Sequence, residues 1–277
     1  MPELPEVETV RRGLLPVLDG IMIKKAVARR ENLRFQIPSD FTNRLVGNRV
    51  IGLRRRSKYI LIDFEDGLIL ILHLGMSGRV TIYRTGESVD IGKHDHVSLI
   101  TDRGDHILYT DPRRFGIITF TDSDSEKDHP LLNKIGPEPL GNSFNAAVLE
   151  AAFHNKRATI KAALLDQRIV AGLGNIYVCE VLWRMGIHPA RAAATVQGHM
   201  LADLVRVIRD VLGEAIAAGG STLKDYAQVD GELGYFQHSF KVYGREGEAC
   251  TKTGCGGTIE RIVQSNRSTF FCASCQQ

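Results

Sequence analysis

Residues 250–275 read CTKTGCGGTIERIVQSNRSTFFCASC, with cysteines at 250, 255, 272 and 275 spaced C-x4-C-x16-C-x2-C. Two cysteine pairs flanked by turn glycines suit tetrahedral zinc. Four thiolates close such a site and leave no open position for chemistry, so the metal is structural. Between the pairs, TIERIVQ and RSTFFC read as two strands joined at Ser265-Asn266. A hairpin this small cannot hold a core alone, and zinc binding supplies its folding energy. The alternative is four unrelated thiols. The chain has five cysteines, and crowding of four here argues for a metal rather than disulfides, in a reducing compartment. Cys179, in NIYVCEVLW, reads as a buried helix residue. Arg267 follows the hairpin turn. On a rigid platform an arginine suits bidentate phosphate contact, but a solvated surface arginine fits the residues equally.

Upstream, residues from about 144 to 218 are helical in pattern. Leu201, Leu204, Val205, Ile208, Leu212, Ala215 and Ile216 keep one face apolar over four turns, and the paired glycines of AGGSTL end that helix. A long loop, 219–240, follows; loops of this length in compact proteins are often functional. AGLGNIY (171–177) joins two helices. Its backbone amides and Asn175 could hold a phosphate, or Asn175 could simply cap the helix. HNKRATIK (154–161) adds Lys156, Arg157 and Lys161. The polar, Pro- and Gly-rich stretch 121–142 marks a boundary. Three segments follow: 1–134, 135–240 and 241–277.

Between about 21 and 120 short apolar or alternating runs are separated by turn residues, as in a β-sandwich or barrel. HLGMSGR (73–79) sets His73 and Met76 about a glycine-rich turn, and DPRRFG (111–116) sets Arg113 and Phe115 beside another. Exposed arginine plus an apolar wedge is the equipment for kinking a duplex and filling the gap left by an extruded base. Ordinary core packing is the other reading of Met76 and Phe115. RRRSKY (54–59) leads into a strand through Lys58. KHDH (93–96) has metal-ligand residue types but no third cluster, so His94 and His96 read as phosphate contacts or structural hydrogen-bonders.

The first residues, MPELPEVETVRRG, start a helix at Pro5 with acidic residues in its first turn. That leaves Pro2 unexplained. Removal of Met1 would expose a secondary amine, a nucleophile for carbonyl carbons and Schiff-base chemistry. Lys+Arg number 35 against Asp+Glu 32, a net charge of +3; total charge does not announce a nucleic-acid binder, and distribution matters more. No apolar stretch approaches the roughly 20 residues of a membrane span, and the acidic N-terminus is not a signal peptide. A cytoplasmic monomer is expected.

Taken in order, MPELPEVETVRRGL, KYILIDF, HLGMSG, KHDHV, YTDPRRFG, GLGNIY, GYFQHSFKVYGREGE and NRSTFFC resemble the blocks of the formamidopyrimidine-DNA glycosylase family, nearly end to end. One departure is the C-x4-C knuckle, where C-x2-C is commoner. The resemblance implies an α+β chain: an N-terminal β-sandwich with a flanking helix, a helix–two-turns–helix module, and a β-hairpin zinc finger, with double-stranded DNA carrying oxidised purines or abasic sites bound between domains. It implies Pro2 as nucleophile, Glu3 as proton donor, Lys58 in β-elimination and Arg267 in δ-elimination. Lys58, His73, Asn175 and Arg267 would grip phosphates. Met76, Arg113 and Phe115 would intercalate; His94, Arg113 and Lys156 would contact DNA. Loop 219–240 would close over the extruded base, and Lys161, expected among the DNA-binding residues, matches a lysine tied to purine-lesion handling. Two rivals are an endonuclease VIII-like enzyme for oxidised pyrimidines and a non-catalytic zinc-ribbon damage sensor.

Overall fold

The computed structural model describes residues 2–221, 229 and 234–277. The chain packs as two compact units, one of residues 1–133 with 216–237, the other of residues 134–215 with 238–277.

The first unit opens with helix α1 (Leu4–Leu18), begun by Pro5 in its first turn and by the Glu6 carboxylate, which accepts the Glu3 N–H at 2.8 Å. Val7, Val10, Leu14, Val17 and Leu18 recur at helical spacing and are buried. After α1 come β1 (Ile23–Ala28), α2 (Phe41–Leu45), β2 (Val50–Arg56), β3 (Tyr59–Phe64), β4 (Leu68–His73), β5 (Arg79–Tyr83), β6 (Asp95–Thr101), β7 (His106–Thr110) and β8 (Ile117–Asp122). They form two antiparallel four-stranded sheets, ordered β1-β6-β7-β5 and β2-β3-β4-β8. Residues from both sheets, α1 and α2 share one core that includes Leu14, Phe41, Ile62, Leu72, Val97 and Ile118. This is the expected sandwich with its flanking helix. Two-sheet closure explains why β4, LILILH, lacks polar alternation: five of its six residues are buried.

The second unit holds α3 (Ala146–Phe153), α4 (Ile160–Leu165), α5 (Asn175–Met185) and α6 (His199–Ala217), then the hairpin β9 (Ile259–Gln264) and β10 (Arg267–Cys272). The hairpin turns at Ser265 and Asn266, both with positive φ (48° and 59°); such a two-residue turn matches the twist of paired strands.

Two segments pack against neighbours outside their own stretch of sequence. The finger is not a separate body, because its small core of Val242, Ile259 and Cys272 includes Cys179 of α5. Residues 216–237 fall with the sandwich rather than with the helices. The Ser221 N–H and hydroxyl both donate to Glu6, at 2.8 and 2.9 Å, and the Ile82 N–H donates to the Val229 carbonyl at 2.8 Å. Most of the loop expected to cover an extruded base, 222–228 and 230–233, lies outside the described residues.

Candidate functional site

In the sandwich unit the N-terminus of α1 brings together Pro2, Glu3 and Glu6, all buried. One Glu6 oxygen takes the Glu3 N–H, and the other takes both donors of Ser221. The Glu6 carboxylate therefore fixes where Pro2 and Glu3 stand. Lys58 sits at the β2–β3 turn, where Ser57 adopts φ 55°, and is itself buried. The turn is latched by Arg55, whose Nη1 donates to the Ser57 carbonyl at 3.1 Å and whose Nε donates to Glu8 at 3.1 Å. Glu8 also receives Arg11 and Arg12. Burial works to raise its pKa, but hydrogen bonds and charge from Arg11, Arg12 and Arg55 overcome that and hold it below the usual carboxylate value.

His73 ends β4, paired with Tyr59 of β3 and with ring centroids 4.8 Å apart. Burial, then the positive charges of Lys58 and Arg34, push its pKa down to about 4. The Gly75 N–H donates to His73 Nδ1 at 3.0 Å, so the neutral ring carries its proton on Nε2. His73 is thus a neutral, oriented N–H donor, suited to a phosphate oxygen.

The turn after His73 docks on the loop 111–116. At Gly75 (φ +65°) an added Cβ would lie 2.4 Å from the Phe115 carbonyl carbon, so only glycine allows this approach. Asp111, fully buried, organises the loop. Ser77 Oγ donates to it at 2.6 Å, the Gly116 N–H at 2.8 Å and the Tyr109 hydroxyl at 3.3 Å. Burial, then the Asp111 charge, drives the Tyr109 pKa well above its ordinary value, so it remains a donor. Arg114, at φ 57°, lets the loop turn outward. Phe115 is 43% exposed, which rules out core packing, and Arg113 stacks over its ring at 5.1 Å. Met76 is half-buried on the adjoining turn. His94, also half-buried, lies edge-on to His96, whose Nε2 hydrogen-bonds the Asp111 carbonyl at 2.9 Å.

Sequence reasoning missed Arg34 and Phe35. The Arg34 N–H donates to the Gly116 carbonyl at 3.1 Å, its guanidinium lies 5.8 Å from the Phe35 ring, and Phe35 is 53% exposed. The segment ENLRFQ carries the same arginine–phenylalanine pair as DPRRFG, and that repetition was the available signal.

In the helical unit, Gly174, not Asn175, is the N-cap of α5. Asn175 Nδ2 donates to the Ser268 carbonyl at 2.8 Å. Its Oδ1 is buried with no hydrogen-bond partner among the described residues. The preceding loop is held by Gln167, which accepts the Gly172 N–H and donates to the Leu173 carbonyl, both at 2.8 Å. Lys156 is half-buried beyond α3, just after Asn155 at φ 53°. Arg267 is exposed beside the hairpin turn. Lys161 departs from the expectation of a DNA-facing cation. It is 1% exposed, and its ammonium donates to Thr269 Oγ1 at 2.5 Å. Thr269 in turn donates to Gln264 Oε1 at 2.9 Å. The amine braces the hairpin from within because α4 turns Lys161 inward beside buried Ile160 and Leu164.

The sulfurs of Cys250, Cys255, Cys272 and Cys275 all lie within 4.8 Å of one another. Sγ atoms of Cys250 and Cys275 are 3.8 Å apart, and those of Cys255 and Cys272 are 3.5 Å apart. The edge of a tetrahedron with Zn–S bonds of about 2.3 Å is about 3.8 Å. The donor set therefore fits one structural zinc, and the longer knuckle does not prevent it.

Comparison with known proteins bears on both units. Residues 1–118 match the formamidopyrimidine-DNA glycosylase N-terminal domain, residues 135–227 its H2TH domain, and residues 247–277 the zinc finger found in FPG and IleRS. The formamidopyrimidine-DNA glycosylase of Paracoccus denitrificans is 57% identical, over the full length of both chains. The chain belongs to the formamidopyrimidine-DNA glycosylase family. A second such glycosylase, from a Jannaschia species, is 55% identical over all of both chains. Among solved structures, a Lactococcus lactis Fpg in complex with abasic-site DNA aligns with TM-score 0.91 and 35% identity, covering all of both chains. The Thermus thermophilus MutM (FPG) aligns with TM-score 0.87 and 38% identity over 99% of this chain and 98% of that one.

Proposed function

We propose that this glycosylase excises oxidised purines from double-stranded DNA and then cleaves the abasic strand, acting in the cytoplasm in base excision repair. The observation that carries the reading is the construction at α1: a proline at position 2 beside a buried carboxyl, held in place by Glu6. Once Met1 is removed, the Pro2 nitrogen attacks C1′ of the damaged nucleotide. The N–C1′ bond forms and the bond from C1′ to the base breaks; the base leaves with the electron pair and takes up the proton that the Pro2 nitrogen sheds. Glu3 gives its proton to the ring oxygen, the sugar opens, and an iminium joins Pro2 to C1′.

The iminium acidifies the C2′ proton. Its loss expels the 3′ phosphate, and a second elimination expels the 5′ phosphate. Lys58 is assigned to the first elimination and Arg267 to the second. His73, through Nε2–H, and Asn175 hold phosphates. Met76, Arg113 and Phe115 fill the space left by the extruded base, with Arg34 and Phe35 adjoining them. His94 and Lys156 add backbone contacts, and the four-cysteine zinc site makes Arg267's platform rigid.

The test is borohydride trapping on a duplex with one 8-oxoguanine opposite cytosine, followed by mass mapping of the crosslinked peptide. A crosslink at Pro2, absent in a Pro2→Gly variant that still binds the duplex, is expected. Tight binding without a crosslink would favour a damage sensor, and a crosslink only to an oxidised pyrimidine would move the substrate class.

A further inference from the structure

One face of α5 carries the finger along its whole length. Asn175 holds the hairpin at Ser268. Cys179 packs with Val242, Ile259 and Cys272. The Glu180 carboxylate accepts the N–H groups of Lys241, Val242 and Tyr243 at 2.9–3.1 Å. At the far end, Trp183 Nε1 donates to Cys250 Sγ at 3.3 Å. That last contact joins the chain's one tryptophan to a sulfur of the metal site. We propose that Trp183 is an outer-sphere residue of the zinc centre, whose indole N–H holds the Cys250 thiolate and sets how firmly the finger keeps its metal.

The chemistry supports that assignment. Four thiolates around one divalent zinc leave two surplus negative charges, mostly on sulfur. An N–H aimed at one sulfur disperses that charge and lowers the sulfur's appetite for protons, alkylating agents and oxidants. Indole is a donor only, so it cannot compete with sulfur for the metal. The position also matters. Cys250 opens the C-x4-C knuckle, two residues longer than the shorter pattern, and within that knuckle the Lys252 backbone N–H also hydrogen-bonds its sulfur. Trp183 supplies an outside anchor from a helix that Glu180 and Asn175 already clamp to the same finger. Groups in this position commonly orient first-sphere ligands and tune the affinity for the metal.

The inference rests on the zinc centre described above, and the test separates the two. Metal analysis of the full-length protein should find one zinc per chain; none would overturn the centre itself. Zinc transfer to the chromophoric chelator 4-(2-pyridylazo)resorcinol is then timed for the wild type and Trp183→Phe, which keeps a ring but loses the N–H. Release about 10-fold faster is expected, the low end for lost outer-sphere partners. Cobalt(II) substitution gives a second reading. The thiolate-to-cobalt charge-transfer band should move to lower energy in Trp183→Phe. It should move to higher energy when 5-fluorotryptophan, a stronger donor of the same shape, occupies position 183. Equal release rates with an unmoved band in both proteins would overturn the proposal. The fluorotryptophan protein keeps the test decisive if the phenylalanine variant folds poorly.

Discussion

His73 is the residue whose state the fold decides most clearly. In the unfolded chain its imidazole titrates at its ordinary value near 6.5, whereas burial and the cations Lys58 and Arg34 bring it to about 4 in the folded protein. Between those values the unfolded state binds the extra proton, so stability falls as pH drops from 6.5 to 4. His73→Gln should flatten that part of the profile, read from urea midpoints at several pH values; parallel profiles would refute it. Asp111 is the second such residue. Replacing it with Asn puts a donor where Ser77, Tyr109 and Gly116 already donate, and a cost of about 1–3 kcal/mol is expected, with weaker binding of lesion duplexes as the wedge loop loosens. Pro2, His73 and Phe115 could be singled out from the sequence because their local motifs are unusual. The role of Asp111 could not, since its burial depends on a turn 34 positions upstream closing over it. Lys161 misled for a related reason: α4 has only six residues, too few for periodicity to tell its inner face from its outer one.

At the scale of elements, the hairpin β9–β10 is braced from two helices, through Lys161 on α4 and Asn175 on α5. This gives Lys161 and Lys156 opposite signatures in DNA binding. A lysine that neutralises a phosphate reduces the salt dependence of binding by about one unit of slope when removed. Lys156→Met should do so. Lys161→Met should leave the slope unchanged while lowering the hairpin's stability by about 1–3 kcal/mol for its orphaned acceptors. A reduced slope for Lys161→Met would mean that its side chain reaches DNA after all. The two strands and their Ser265-Asn266 turn were readable from composition and turn chemistry. The dependence of the hairpin on α4 and α5 was not, because those contacts span about 90 residues or more.

For the molecule as a whole, the division into two compact units predicts two cooperative transitions, with the zinc site in only one of the units. Chelation should lower the melting of the helical unit and weaken DNA binding, while the sandwich transition stays where it was; calorimetry with and without chelator reads both. A single transition shifted as one would count against this. Composition changes across the stretch 121–142, whereas the packing of 216–237 against the sandwich has no such signature, since it rests on Ser221 meeting Glu6 across 215 positions. The way that segment is tied to the sandwich has an evolutionary consequence. Ser221 bridges Tyr235, the Tyr235 N–H donates to the Ala218 carbonyl, and the Phe236 N–H donates to the Gly220 carbonyl. The backbones come so close that a Cβ on Gly234 would sit 2.4 Å from the Gly220 oxygen. Residues 218–221 and 234–236 are therefore stitched together at a narrow neck, and Glu6 clips that neck to the helix that follows Pro2. Between the stitches Val229 is pinned once more, by the Ile82 N–H and by burial in the sandwich core, so the segment is held at its two ends and at one point between them. Lineages could thus vary the residues between these fixed points without disturbing the helix start behind Pro2, and a protein engineer could exchange the same residues as a cassette, provided position 229 is kept.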